Sequence, residues 1–307
     1  MEIESFLLYL KNVKRYSPLT LVAYEEDLIQ FSEFCEKIEL IHEWTEVTLD
    51  VVRHFEVELL SGRIFVSLKK KSKPKRLAAS SVRRKLSSLR AFFRYLLREG
   101  VLSVDPMENI VLPKMNKRLP VFVPDYQMDE LLDGKDVDTD DFSFFRDLMF
   151  MMVAYYTGMR RSELVRLRLI DFDFGADVVR VTGKGDKQRI LPLLRDLKEE
   201  VLSYLSKRET IVNGEHDFFF ITDKGKPVND KYIYRHVKKS LSHVLTLSKR
   251  SPHVLRHSFA TALLNNGACS EAIRKLLGHS NLAATQIYAH NSFESLKQCY
   301  NQAHPRA

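Results

Sequence analysis

Cysteine is scarce in this chain of 307 residues, and the three present, Cys35, Cys269 and Cys299, are widely spaced and odd in number. They make neither a disulfide framework nor a zinc-ligand pattern, and fit idle or buried thiols in a reducing compartment. Long apolar runs are missing too. The most apolar stretch, Leu148 to Tyr156, is roughly half the length of the ~20 residues that a membrane-crossing helix needs. The chain opens Met1-Glu2-Ile3-Glu4, acidic where a secretory leader is basic, and no apolar h-region follows. These absences point to a cytoplasmic protein with no membrane partner. Low-complexity tracts and internal repeats are also lacking, so a globular chain of one or two domains is expected. The last absence is local: from Ser61 through Arg98 there is no Asp or Glu.

What is present is positive charge. Lys and Arg outnumber Asp and Glu by 48 to 40, a formal charge of +8, which favours a polyanionic partner. Residues 1–100 read as helical. Phe6, Leu7 and Leu10 mark one amphipathic helix. Ser17-Pro18 caps a second, with Leu21, Tyr24, Leu28, Phe31 and Phe34 at helical spacing. A third is predicted from Thr48 to Leu60. A fourth, capped by Ser80 or Ser81 and ended by Gly100, buries Val82, Leu86, Leu89, Phe93 and Leu96. Its predicted outward residues are Arg83, Arg84, Lys85, Arg90, Arg94 and Arg98, and the run Lys69-Lys70-Lys71-Ser72-Lys73-Pro74-Lys75-Arg76 precedes it. A solvated face usually mixes signs, so this one-signed surface reads as contact with a phosphate backbone. For the lysine run a targeting tract is the alternative, and the segment from Arg63 to Arg76 fits a loop, an extra nucleic-acid contact or a partner surface equally. Asp105-Pro106, Pro113, Pro120 and Pro124, interleaved with Lys114, Lys117 and Arg118, read as an extended linker.

Beyond the linker, helices are predicted over Tyr126–Leu132 and Phe142–Tyr156, the second nearly apolar all round and therefore buried. Gly158 breaks it, Arg160 follows, and Glu163 stands where it can hold that arginine. Val178–Thr182 and Gln188–Pro192 read as strands flanking a Gly183-Lys184-Gly185-Asp186-Lys187 turn. Further helices are predicted over Leu197–Leu205 and Tyr232–Val244, with the apolar run Phe218–Ile221 between them as core. Arg235, Lys238 and Lys239 are candidate nucleic-acid contacts.

The most informative stretch lies near the end. Ser251 can N-cap a helix with Pro252 in its first position. His253, Arg256 and Ala260 then share one face, while Leu255, Phe259, Ala262 and Leu263 line the core side. An imidazole and a guanidinium near a helix N-terminus suit an anion, most simply a phosphate. A helix over Ser270–Leu277 should stop at Gly278; His279 follows the stop, and Tyr288 lies on the next short segment. A phenol becomes a good nucleophile when cations stabilise its phenolate and a base accepts its proton.

His253-x-x-Arg256, Leu277-Gly278-His279 and Tyr288, with Thr157-Gly158-Met159-Arg160 and Gly183-Lys184-Gly185 upstream, resemble the signature of the tyrosine recombinases, the lambda-integrase family. The matches keep the family's order from Thr157 to Tyr288. The resemblance implies a mainly α fold with a small β-hairpin or sheet in its C-terminal part. It implies a two-domain DNA clamp: a helical core-binding domain over 1–108, a linker over 109–124, and a catalytic domain over 125–307 ending in a tail helix, 292–307. It implies Arg160, Lys184, His253, Arg256 and His279 as catalytic residues around the nucleophile Tyr288, with Arg161 excluded. No metal or cofactor is implied. Lys70, Lys71, Arg83, Arg84, Lys85, Arg90, Arg94, Lys187, Arg189 and Arg235 are the expected DNA contacts. His257 reads as structural, and Tyr300, in the apolar stripe Phe293, Leu296, Tyr300, as a decoy for the nucleophile. In relatives such a tail docks on a neighbouring protomer, which links four subunits around two duplexes.

Within the family, the layout and the ending Ala303-His304-Pro305-Arg306-Ala307 look most like the bacterial Xer recombinases. Those resolve chromosome dimers at a dedicated DNA site, usually with a related second recombinase and a DNA translocase, which implies a nucleoid-associated protein of the bacterial cytoplasm. An integrase or invertase of a mobile element is the alternative. Two more distant readings are a type IB topoisomerase-like enzyme, which typically has Lys where this chain has His253, and a DNA-binding protein with a dead site, which would lack a residue that here is present.

Overall fold

A computed structural model describes residues 2–62, 76–114, 121–133, 141–183, 186–243, 250–278 and 299–306. The chain divides into two compact units, Met1–Arg118 and Leu119–Ala307.

In the first unit the predicted helices form: α1 (Glu2–Asn12), α2 (Pro18–Phe34), α3 (Leu49–Ser61) and α4 (Ala79–Arg98). The Ser17 side chain accepts from the Thr20 amide at 3.3 Å, capping α2 as its sequence predicts. Phe6, Phe31, Phe55, Phe92 and Phe93 close the core, each burial stabilising the unit by roughly 1.5–3 kcal/mol. The Trp44 ring packs on Phe92 at 5.0 Å between centroids.

Two expectations for α4 fail. The N-cap is Ala78, ahead of Ser80 and Ser81. The Leu77 amide donates to Leu59 O at 3.3 Å, so the end of α3 sets the entry of the chain into α4. Lys85, expected outward, is buried. Its ammonium meets the buried Asp27 carboxylate at 2.8 Å, and Ser88 Oγ and Arg84 Nη2 donate to the same group at 2.9 and 2.8 Å. A buried carboxylate costs several kcal/mol unless it is paired in this way. The start of the expected linker is also packed, with Ile110 in the core beside Met107.

In the second unit α6 (Phe142–Thr157) is the central helix, buried on all sides from Met149 to Thr157. Around it pack α5 (Asp125–Leu132), α7 (Arg161–Arg166), α8 (Arg195–Ile211), α9 (Asp230–Ser240) and α10 (Pro252–Asn265). The predicted strands pair antiparallel as β2 (Val178–Thr182) and β3 (Gln188–Pro192), with a short β1 (Phe172–Asp173) added at the edge. Phe219, Phe220 and Ile221 are core, as their apolar run predicts. α8 outlasts its predicted end because Arg208 continues the buried stripe of Leu197, Val201 and Tyr204; its guanidinium Nη2 donates to Phe218 O at 2.8 Å. Among the described residues, no helix is long and apolar enough to cross a membrane.

Residues 299–306, the described part of the tail, pack on their own unit. Residues 299–303 are helical, and Tyr300 and Ala303 join the core of their own unit. The Tyr300 hydroxyl donates to Tyr156 O, and Arg306 pairs with Asp129 of α5 and with its C-cap Asp133. Phe293 and Leu296 lie outside the described residues.

Candidate active site

The site is built where α6 stops. Gly158 caps α6 with φ +60, the left-handed region that favours glycine. A Cβ here would lie 2.5 Å from the Phe259 ring and 2.9 Å from Leu277, so both the turn and the packing require glycine. This turn delivers Arg160 as the N-cap of α7. As the spacing predicts, Glu163 holds it: the carboxylate accepts from the Arg160 amide at 2.7 Å and from Nη1 at 2.9 Å.

Arg256 arrives from α10, where Ser251 occupies the N-cap and Pro252 the first position. Its buried guanidinium donates from Nη1 to Gly158 O and from Nη2 to Leu277 O, both at 2.6 Å. Burial, then the charge of Arg160, pulls its pKa down to about 10. His253, one turn earlier, is exposed; partial desolvation and the charges of Arg161, His257, Arg256 and Arg160 lower its pKa, which favours the neutral imidazole, the form that accepts a proton.

The last turn of α11 (Ser270–Leu277) is where these side chains meet. Gly278 ends this helix with φ +64, leaving carbonyls that attract cations. Three consecutive carbonyls take one arginine each: Leu276 O from Arg189 Nε at 2.8 Å, Leu277 O from Arg256, and Gly278 O from Arg160 Nη2 at 3.3 Å.

Arg189 corrects the sequence reading. Expected as a DNA contact, it is largely buried and forks onto Glu163, with Nη1 to Oε1 at 2.9 Å and Nη2 to Oε2 at 2.8 Å. Burial pushes the Glu163 carboxyl up, but Arg189 and Arg160 outweigh it and the net shift is downward, so the carboxylate stays ionised. The available signal was strand alternation: Arg189 pairs with the inward Val181 in the sheet register and shares a face with Leu191. Ser258 was missed as well. Its hydroxyl accepts from the Val123 amide at 2.7 Å, which fastens the entry of the unit to α10.

Lys184, His279 and Tyr288 lie outside the described residues, as do Lys70 and Lys71. Arg161, excluded from the site, pairs with Asp230 at 2.9 Å. Lys187, Arg235 and His257 are exposed. Tyr300 is no competitor for the nucleophile, because burial raises its phenol well above the ordinary value. In the first unit Arg83 and Arg94 are exposed, Arg84 serves Asp27, and Arg90 donates to Ile110 O at 2.6 Å.

Residues 123–295 match the Phage integrase family, and residues 3–100 match the phage integrase N-terminal SAM-like domain. Tyrosine recombinase XerC of Chlorobaculum parvum is 34% identical across 99% of this chain and 94% of its own length. The XerC of Listeria welshimeri is 36% identical across 99% and 97%, and that of a Staphylococcus aureus strain 35% across 99% and 96%. Among solved structures, the XerH site-specific recombinase in a pre-cleavage complex with difH substrate aligns with 96% of this chain and 82% of its own, at TM-score 0.67 and 21% identity. The Tn1549 transposon integrase in complex with circular intermediate DNA aligns with 97% and 98%, at TM-score 0.67 and 21% identity. At that identity the two structures speak for the fold.

Proposed function

The chain belongs to the phage integrase family of tyrosine recombinases, enzymes that cut and rejoin DNA strands, and from that premise we propose how its residues divide the reaction. Tyr288 attacks the scissile phosphorus; the bond to the 5′-oxygen breaks, leaving a 3′-phosphotyrosine and a free 5′-hydroxyl. Arg160 and Arg256 hold the two non-bridging oxygens. A guanidinium has five N–H donors; the described contacts of Arg160 and Arg256 each use two, so three on each remain for phosphate. Lys184 protonates the leaving oxygen, His253 takes the proton of Tyr288, and His279 donates to the phosphate. The covalent link conserves the energy of the phosphodiester, so religation needs no added cofactor.

One observation carries this reading. Two guanidinium groups from distant segments converge on the end of α11, immediately before His279 in the chain. Charge placed beforehand where it develops in the transition state is the larger part of such catalysis.

The proposed substrate is double-stranded DNA carrying a specific recombination site, in keeping with the DNA complexes described for XerH and the Tn1549 integrase. Residues 1–108, with the packed stretch around Ile110, form the proposed helical DNA-binding domain and 125–307, with Val123 fastened to it, the catalytic domain; the rest of 109–124 is the proposed linker. Identity of 34–36% to XerC proteins over nearly the whole chain favours an Xer-type role: resolution of chromosome dimers through a Holliday junction. The active assembly is then a tetramer on two duplexes, of this protein alone or with a related recombinase, stimulated by a DNA translocase at the bacterial nucleoid. In the test, Tyr288→Phe keeps its DNA affinity but gives no covalent adduct on a nicked suicide substrate, while Tyr300→Phe still gives one. An adduct from Tyr288→Phe would overturn the assignment.

A further inference from the structure

Five groups around the end of α11 form one continuous network: Arg160, Glu163, Arg189, Arg256 and the carbonyls of residues 276–278. Arg160 and Arg256 have donors left over for a ligand. Arg189 differs in that all three of its nitrogens bond protein oxygens, Leu276 O and the two oxygens of Glu163, which leaves two N–H donors on a largely buried fork. Its side chain is 11% exposed and that of Glu163 3%, so neither is presented to a large polyanion.

The fit around Arg189 is close. A Cβ on Gly278 would come within 3.1 Å of Arg189 Cδ and 3.3 Å of its Nη1, so any larger residue at 278 would push the guanidinium a few tenths of an ångström off the helix end. Through Glu163, Arg189 reaches Arg160, since that carboxylate accepts from the Arg160 amide and Nη1 as well. A planar fork that meets a carboxylate bidentately while its Nε bonds a third oxygen is a geometry that lysine cannot reproduce.

We propose that Arg189 is a positioning residue of the cleavage site, bridging Glu163 and the Leu276 carbonyl so that the Arg160 turn, β3 and the end of α11 are held as one piece. The proposal rests on the reading of Arg160 as a phosphate ligand. Its mechanical content is that three segments share one anchor. β3 supplies Arg189, α7 begins at Arg160, and the end of α11 supplies the Leu276 carbonyl, so the anchor fixes the Arg160 guanidinium through Glu163 without touching the substrate. With Arg189 removed, Glu163 keeps only Arg160, and that guanidinium is drawn from the phosphate toward the carboxylate.

The test uses the full chain on a nicked suicide substrate, with single-turnover cleavage at saturating protein measured apart from DNA affinity. Arg189→Leu should retain affinity within about twofold and cleave about 10²-fold more slowly, the scale of a misplacement near 1 Å. Arg189→Lys, which keeps the charge beside Glu163, should fall between that variant and the parent. In the Arg160→Ala background, Arg189→Leu should cost less than about threefold more, because an effect exerted through Arg160 cannot be lost twice. Arg189→Leu cleaving at the parent rate, or losing its full factor again in the Arg160→Ala background, would overturn the proposal while the Arg160 reading stands. Arg160→Ala cleaving at the parent rate would instead overturn the Arg160 reading, and the proposal with it. Equal losses of affinity and rate, or melting of both Arg189 variants well below the parent, would assign Arg189 to the fold alone.

Discussion

Acidification from about pH 7.5 to about pH 5 should weaken the second unit through one side chain, His304. Its ring is buried among Tyr155, Tyr156, Phe259 and Tyr300, with centroids 4.9–6.0 Å away. Nδ1 accepts from the Arg306 amide at 3.2 Å. Burial, opposed in part by the nearby Tyr155 backbone and reinforced by the Arg306 charge, lowers its pKa from 6.5 to about 3. The unfolded chain therefore takes up a proton below pH 6.5 that the folded chain refuses until about pH 3. Stability is complete above that window and is lost as pH falls through it. At pH 5 the deficit is about 1.5 pH units, or about 2 kcal/mol, which is on the order of 1 M in a urea midpoint. The single tryptophan, Trp44, lies in the first unit, so its fluorescence supplies an internal control while circular dichroism follows the rest. The dichroism midpoint should fall on acidification in the parent and fall much less in His304→Gln, with the Trp44 transition indifferent to the substitution. An equal pH dependence in both proteins would refute the reasoning.

Lys184→Ala should be slowed by roughly 10²–10⁴-fold on ordinary DNA and recover when the 5′-bridging oxygen becomes sulfur, since a thiol near pKa 8.5 leaves without an acid; failure of sulfur to rescue it selectively over Arg160→Ala moves the acid elsewhere, with Lys187 next to be tested. Charge reversal at Arg83 and Arg94 should weaken DNA binding and flatten the slope of log K against log salt by about 0.9 per lost phosphate contact. Lys85→Met should instead leave that slope alone and cost about 1–3 kcal/mol of stability, because the buried Asp27 loses one partner and keeps Arg84 and Ser88. Gly158→Ala, which drives a Cβ into the Phe259 ring and strains the left-handed turn, should lose about 2–4 kcal/mol and lower the cleavage rate; an unchanged melting temperature would show that the turn can shift.

Most of the fold was legible because local signals and burial agree: Ser17-Pro18 starts α2, Gly158 and Gly278 stop α6 and α11, and strand alternation gives β2 and β3 their bounds. The errors share a physical origin. A basic residue reads as solvated or DNA-facing when its partner is far away in sequence. Asp27, which receives Lys85, is 58 positions off, and the Leu276 carbonyl that receives Arg189 is 87. The α4 start was misjudged for a related reason, since the Leu59 carbonyl fixes the chain at Leu77 and no serine cap does. Tyr300 and His304 are aromatic groups on a tail whose docking surface consists of side chains from α6 and α10, which the tail's own periodicity cannot reveal. At the site, Arg160, Glu163 and Arg256 were legible from motif and spacing; the anchor that joins them was not.

The crown of arginines on α11 also bears on the order of events during synthesis. Arg160 meets a carbonyl 118 positions later in the chain, and Arg189 one 87 positions later. When the ribosome has made the hairpin, both guanidiniums already exist, but the helix end that collects them is still unwritten. A nascent or prematurely terminated chain can therefore carry the basic N-terminal surface and still hold no assembled cleavage site. Such a fragment cannot nick DNA, so an enzyme whose half-made form would endanger a genome becomes competent only once its last helices arrive.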